Sequence, residues 1–333
     1  MTGATGFRSG FVTVVGRPNV GKSTLVNRVL GTKVTITSAK PNTTRRPVRG
    51  VLHRPGVQAV FVDTPGLHRP RSALGRRLNE LVVGALDDLD VVVAVLDATA
   101  PLGPGDRMVL ERAALSCRRV QREPAWVRSL IVAVNKIDLA TPAEVLAQLA
   151  AAHEVLEGAL GDETASGDAS DDDDGEGTGD DAPREAVGSA ELGIEYFAVS
   201  AATGEGVDAL VDAVIARLGE GPPYYGEDTV SDVPEAFWVA ELVREQLLAR
   251  VREELPHSIA CRVSEWEWPR VRVEILVERE SQKGIVIGHG GELLKDVGTA
   301  VREQLPPGAF LELHVGVERR WQDRPEAIER LGY

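Results

Sequence analysis

The sequence predicts an α/β protein: a doubly wound, mostly parallel sheet over residues 1–219, a linker over 220–234, and a smaller α+β domain over 235–333. Three observations predict it. Apolar runs of strand length recur at Phe11–Val15, Val57–Val62, Asp90–Asp97, Ser129–Asn135 and Ile194–Val199, the pattern of strands buried on both faces. A glycine-rich turn, Gly16 to Thr24, joins the first run directly to a helical pattern over Thr24–Leu30. Beyond the Pro- and Gly-rich stretch 219–234, the periodicity changes to one long amphipathic helix followed by two alternating strands.

The turn reads Gly16-Arg17-Pro18-Asn19-Val20-Gly21-Lys22-Ser23-Thr24 and fits GxxxxGK[ST] between a strand and a helix, the context that pattern needs. Gly16 and Gly21 let the backbone bring its N–H groups against phosphate oxygens, where a helix amino terminus adds partial positive charge. Lys22 then reaches the outer phosphates, and the Ser23 hydroxyl can ligate Mg²⁺. A polar, threonine-rich loop follows the first helix. In P-loop GTP hydrolases such a loop carries a threonine that senses the third phosphate through Mg²⁺, and Thr43 and Thr44 are the candidates.

The strand Val57–Val62 ends in Asp63-Thr64-Pro65-Gly66. Asp63 lies opposite the P-loop in a doubly wound sheet, where it can hold the Mg²⁺ shell, and Gly66 offers an N–H to the third phosphate. Leu67 stands where many GTP hydrolases have a water-positioning glutamine, so water must be oriented by other means and unaided hydrolysis is expected to be slow. The strand ending at Asn135 passes into Lys136, Ile137 and Asp138. The Asp138 carboxylate can accept the ring N–H and the exocyclic amine of guanine together, a donor pair that adenine lacks. Lys136 can lie along the base, and Asn135 can tie this loop to the P-loop. Ser200-Ala201 follows the last strand, where the guanine-binding family places a backbone N–H on the base carbonyl. In this order the motifs are those of a Ras-like GTPase binding GTP and GDP with Mg²⁺.

The formal charge of −14 is unevenly spread. Residues 157–190 hold twelve acidic side chains against Arg184 alone, which leaves the rest of the chain near −3. The whole-chain charge therefore does not exclude a nucleic-acid partner. That acidic segment has too few apolar side chains to offset the entropy of ordering and is expected to be a disordered insertion. A solvated spacer is its plain role; mimicry of phosphate, in competition with RNA, is the sharper one. Cys117 and Cys261 lie far apart without neighbouring histidines, which suggests neither a disulfide framework nor a zinc site. No signal-like start or membrane-spanning run is present, so a cytoplasmic location with at most peripheral membrane association is expected.

In the second domain the sequence predicts a helix over Glu235–Leu255 and strands over Ser258–Val263 and Val271–Val277, separated by a turn-like EWEWPR. Ile285, Val286 and Ile287 then lead into Gly288-His289-Gly290-Gly291, and a helical pattern continues from Leu293. A GxxG turn between helices lets an RNA backbone approach closely and clamps about four nucleotides, as in a KH domain. His289 stands where a basic residue is more usual, and residues 270–333 hold ten Lys and Arg against eleven Asp and Glu. Affinity therefore rests on backbone N–H groups, with help from Lys283 and Lys295 and from Arg302, Arg319 and Arg320.

GRPNVGKST, DTPG, EGPPYY, REELPHS, VERESQKGIVIG and the ending ERLGY together resemble the bacterial Era-type GTPase family over nearly the whole chain apart from 157–190. The resemblance implies a P-loop GTPase domain with a type II KH domain, acting on the 3′ end of 16S ribosomal RNA during maturation of the 30S ribosomal subunit. It also implies association with the inner face of the cell membrane, and a K⁺ ion placed beside the phosphates by Asn19. A monomer is expected. The alternatives are a membrane-associated signalling GTPase and an RNA-binding module whose GTPase domain is catalytically weak; a tRNA-modification GTPase would lack the VERESQKGIVIG segment.

Overall fold

The valine-rich runs pair into one sheet. β1 (Arg8–Val15), β3 (Val57–Asp63), β4 (Val91–Asp97), β5 (Leu130–Asn135) and β6 (Glu195–Val199) are parallel; β2 (Val48–Arg54) runs antiparallel on the edge of β3. The order across the sheet is β2-β3-β1-β4-β5-β6. The computed structural model describes residues 6–333 except 69, 71, 87–88, 121–129, 162–192 and 253–254. Every residue of β4 and β5 is buried, because helices cover both faces. On one face α1 (Lys22–Leu30) and α5 (Val207–Arg217) pack Leu25, Val26, Leu210 and Val214 against Val12, Val93 and Ile131. On the other, α2 (Ala73–Gly84), α3 (Pro104–Val120) and α4 (Pro142–Gly161) pack Val82, Leu110 and Leu156 against Val92 and Val132. Parallel strands end on one edge, so Val15, Asp63, Asp97, Asn135 and Val199 all open onto the same crevice.

The remaining elements are α6 (Glu235–Arg250), a single turn α7 (Leu255–Ser258), β7 (Ala260–Glu267), β8 (Arg270–Val277), α8 (Glu280–Ile287), α9 (Glu292–Arg302), β9 (Phe310–Val317) and α10 (Pro325–Arg330). β7 and β8 are antiparallel and β8 and β9 parallel, in the order β7-β8-β9. Val271, Val273, Ile275 and Val277 point from β8 into a core completed by Leu242, Val243 and Leu247 of α6 and by Val297 and Val301 of α9.

Several boundaries differ from the sequence expectation. The helix expected to reach Leu255 stops at Arg250, where Val251 turns extended and buries its side chain. Within EWEWPR only Trp268-Pro269 forms the turn: Glu265 pairs opposite Arg272 and Trp266 opposite Val271, so the strands run on into it. An opposite-charge pair and a β-prone aromatic both favour that extension. At the acidic insertion, α4 continues through Gly161 because Leu156 and Leu160 still meet the core, so residues 157–161 are helical. The rest of the insertion, 162–190, lies outside the described residues. β9 and the edge strand β2 have no counterpart in the sequence reading.

The connector is pinned along the sheet. Val51 N donates to Val230 O at 2.8 Å, Ser231 Oγ to Arg49 O at 2.7 Å, and Gln58 Oε1 accepts from Tyr224 N at 2.6 Å and Tyr225 N at 3.0 Å. A fourth apolar cluster bridges the two sheets, with Leu74 and Leu78 of α2 packed against Trp321, Ile328, Leu331 and Tyr333. Trp321 is fully buried and its Nε1 donates to Ser258 O at 2.8 Å. Cys117 and Cys261 are both buried, and burial pushes each thiol up to about 12. Among the described residues no helix is long and apolar enough to cross a membrane.

Candidate functional site

The loop from Gly16 to Gly21 carries the chain from β1 into α1 at the carboxyl edge of the sheet. Its glycines are required by space: a Cβ on Gly16 would come within 2.6 Å of Val95 O, and one on Gly21 within 2.2 Å of Asn135 Nδ2, at φ +98°. Gly66 lies equally close, its missing Cβ 2.6 Å from Pro18 N, and Leu67 N donates to Gly16 O at 3.2 Å. The Lys22 ammonium is buried under the loop, donating to Gly16 O at 3.1 Å and Arg17 O at 2.9 Å. Burial lowers it to about 8, against the opposing pull of Asp63.

Asp63, at the end of β3, is fully buried, and three hydroxyls converge on its Oδ2: Ser23 at 2.7 Å, Thr35 at 2.8 Å and Thr44 at 3.2 Å. Its Oδ1 is buried with no partner among the described residues, and burial raises the carboxyl above its ordinary range. An orphan carboxylate oxygen beside the Ser23 and Thr44 hydroxyls, themselves 3.0 Å apart, is a hard-oxygen donor set that fits Mg²⁺. The two threonine candidates now separate. Thr44 faces Ser23 and Asp63, while the Thr43 hydroxyl turns back to donate to Lys40 O at 2.7 Å. Thr35 was missed because its approach to Asp63 depends on the fold of the whole loop.

Around these groups a cavity of 530 Å³ is lined by the P-loop, by Thr37, Ser38 and Ala39, and by Thr44, Gly66 and Lys136. Asn19, at φ +68°, joins its walls by donating to Ala39 O at 2.8 Å. Pro18 and Thr24 also line it, whereas Arg17 turns to Asp106 at 2.6 Å and Val20 into the core. The Thr64 hydroxyl holds Val14 O at 2.7 Å, and Pro65 is buried beside it. Leu67 is 1% exposed and packed in the core, so no polar side chain projects from that position.

On the other side Asn135 bolts three loops together, donating to Val20 O at 2.8 Å and accepting from Ala201 N at 2.9 Å. Lys136, at φ +69°, is steadied by Asp97 Oδ2 at 2.6 Å, a contact absent from the sequence reading. Burial works against the Asp97 charge, yet the bonds from Lys136 and Thr99 hold the carboxyl below its usual range. Ser200 Oγ donates to Asp138 Oδ1 at 2.6 Å, which orients the exposed carboxylate.

Far along the chain, α8 and α9 meet at Gly288, His289, Gly290 and Gly291. Gly288, Gly290 and Gly291 have φ of +78°, +57° and +84°. A Cβ on Gly288 would press to 2.8 Å of Leu293 Cβ, while Gly290 and Gly291 face open space. His289 and Lys295 are exposed and Lys283 half-buried, so a bare backbone turn is framed by one cation from each helix.

A family model described as a 50S ribosome-binding GTPase matches residues 11–136, and a KH-domain model matches residues 254–322. The chain is 42% identical to GTPase Era of Mycobacterium avium over 99% of this chain and all of that protein. This chain belongs to the GTPase Era family. It is also 41% identical to GTPase Era of Mycobacterium tuberculosis over the same shares. Among solved structures it is similar to Era in complex with MgGDPNP and nucleotides 1506–1542 of 16S ribosomal RNA, with TM-score 0.79 and 33% identity over 98% of this chain and 99% of that one. Aquifex aeolicus Era bound to GDP·AlF4⁻ gives TM-score 0.78 and 32% identity over the same shares. The fold is thus the Era arrangement of a P-loop GTPase domain followed by a KH domain.

Proposed function

We propose that this chain is a GTP-hydrolysing switch that binds the 3′ end of 16S ribosomal RNA and acts in assembly and maturation of the 30S subunit. The observation that carries the reading is the presence, in one chain, of the Ser23–Thr44–Asp63 hydroxyl and carboxylate cluster and an open GxxG turn. A solved relative holds MgGDPNP and a 16S fragment together, which favours the small subunit over the large one named in the description of the GTPase family model.

In this reading Asp138 accepts the guanine donor pair, held in place by Ser200, while Lys136 lies along the base. The P-loop N–H groups and Lys22 receive the phosphates; Lys22 leaves its two carbonyl partners to do so. Ser23, Thr44 and Asp63 would hold Mg²⁺, which neutralises charge on the outer phosphates when bound. Thr44 and the Gly66 N–H sense the third phosphate, and water attacks it without a side chain from Leu67. On family resemblance, Asn19 would hold K⁺ beside the phosphates, a cationic supplement to Lys22. The GTP-bound loops set the KH domain for single-stranded RNA, received by Gly288–Gly291 with Lys283 and Lys295, and hydrolysis loosens that state. The domain division at 219 and 235, a monomeric state, cytoplasmic residence and peripheral contact with the inner face of the membrane belong to the same proposal on family resemblance.

Crosslinking and sequencing of bound RNA, with a nonhydrolysable GTP analogue and with GDP, tests it. Enrichment of the 16S 3′ end in the GTP-like state is expected. Loss of that enrichment in both states would refute the reading.

A further inference from the structure

We propose that Arg244, on α6 of the KH half, is a positioning residue of the GTPase site, holding the Thr43 carbonyl so that Thr44 stays against Ser23 and Asp63. The inference rests on the switch reading above and names the contact through which it works.

Arg244 is fully buried, in a helix segment whose residues from Val239 to Glu245 are all buried. Arginine is almost never found so deep unless paired, because stripping water from a guanidinium is costly. Glu241, one turn earlier, supplies the countercharge: Arg244 Nε donates to Glu241 Oε1 at 2.8 Å and Nη2 to Oε2. The same Nη2 also donates to the carbonyl of Thr43, and Nη1 has no partner among the described residues. An ion pair of this kind is often no more stabilising than apolar residues of the same volume. What apolar residues could not do is hold a carbonyl of the nucleotide loop.

The grip has a second point. Glu245, the next residue of α6, accepts from Thr37 N at 2.9 Å and pairs with Lys33. Two successive side chains of one helix therefore hold the loop at Thr37 and at Thr43. Between those points lie Ser38, Ala39 and Asn42, which line the nucleotide cavity, and Thr44 follows directly. The Thr43 carbonyl and the Thr44 nitrogen belong to one rigid peptide unit. Thr44 Oγ1, 3.0 Å from Ser23 Oγ, is thus fixed from behind by the KH half. Arg45, the residue after, is anchored to that half as well, donating to Ile259 O at 2.6 Å and His257 O at 3.1 Å and lying over the Trp321 and Tyr333 rings.

A group that pre-orders the third-phosphate sensor strengthens binding of GTP and leaves GDP alone. By linkage, whatever shifts α6 on RNA binding must alter GTP affinity by the factor with which GTP alters RNA affinity.

The test uses the full chain with Glu241→Leu and Arg244→Met combined, which removes both charges at similar volume. The apparent Kd for a nonhydrolysable GTP analogue with Mg²⁺ is expected to rise about tenfold, the order that freeing one further loop residue implies. The Kd for GDP should stay within about twofold, and KM should rise more than kcat falls. Equal weakening of both nucleotides would mean a structural role only, and unchanged affinity for both would mean no role; either overturns the proposal. Should the double variant not fold, Arg244→Lys keeps the charge beside Glu241 but lacks the planar fork that spans both acceptors, and it is read by the same two constants. RNA binding in GTP-like and GDP states is measured alongside. No nucleotide dependence in the unaltered chain would count against the switch reading, whereas a dependence that survives in the variant would count against Arg244.

Discussion

Lys22 should make nucleotide binding consume protons. In the free protein its ammonium is buried beneath two carbonyls, and burial lowers it to about 8 from the ordinary 10.5. A triphosphate arriving above it supplies the countercharge that burial removed, so the bound state restores the proton. A base depressed in the free fold and restored on binding takes up a proton in the window between about 8 and 10.5, and affinity falls as pH rises through that window. At pH 8 the uptake should be about half a proton per nucleotide, and between pH 7 and 9 the apparent Kd should rise about tenfold. The third phosphate is already fully ionised at pH 8, so it does not mask the effect. Calorimetry in buffers of different ionisation enthalpy reads the proton count directly. Lys22→Ala binds weakly but reports the share contributed by the guanine ring N–H, which is subtracted. No uptake at any pH between about 8 and 10 would refute the argument, because the lysine would then be fully charged before any phosphate arrived. The same sign governs stability: without nucleotide, the charged form is the costly one, so the free protein gains stability as pH rises from about 8 toward 10.5.

Two further outcomes are expected. Gly290→Asp should leave folding nearly intact, because its Cβ meets open space and aspartate tolerates the φ of +57° better than most residues; RNA affinity should fall at least about tenfold as a carboxylate meets the phosphate chain, and filter binding at fixed salt measures it. Trp321→Phe removes the donor to Ser258 O at the centre of the cluster between the two halves and should lower stability by about 1–3 kcal/mol. Thermal unfolding checks that value, and an unchanged melting temperature would mean the carbonyl finds another partner.

What was legible in the sequence follows from how far each signal reaches along the chain. The continuous valine runs declare their strands because a residue buried on both faces must be apolar, whatever its neighbours; β2 escapes because it lies at a sheet edge and mixes polar with apolar residues, whereas β9 does carry the alternation of Leu311, Leu313, Val315 and Val317, so its signal was present in the sequence. The P-loop and the DTPG turn declare their glycines for a similarly local reason, since Gly16, Gly21 and Gly66 each lie where a single carbon would collide with backbone or with Asn135. The choice between Thr43 and Thr44 was not local. Their types and neighbours are alike, and the decision is made by which hydroxyl the loop aims at Asp63, some twenty residues on, and by which carbonyl faces α6, some two hundred residues on. Asp97 and Thr35 were unreadable on the same ground: each is an ordinary strand-end or loop residue until the sheet brings it to Lys136 or Asp63. Arg244 is the extreme case. Within its own helix it reads as one more solvated cation beside Glu241 and Glu245, yet all three are buried, and two of them bond to the loop that faces the nucleotide cavity. Motif spacing therefore reveals the groups meant for the ligand, whereas the groups meant for those groups come to light only when helices of one half are seen against loops of the other.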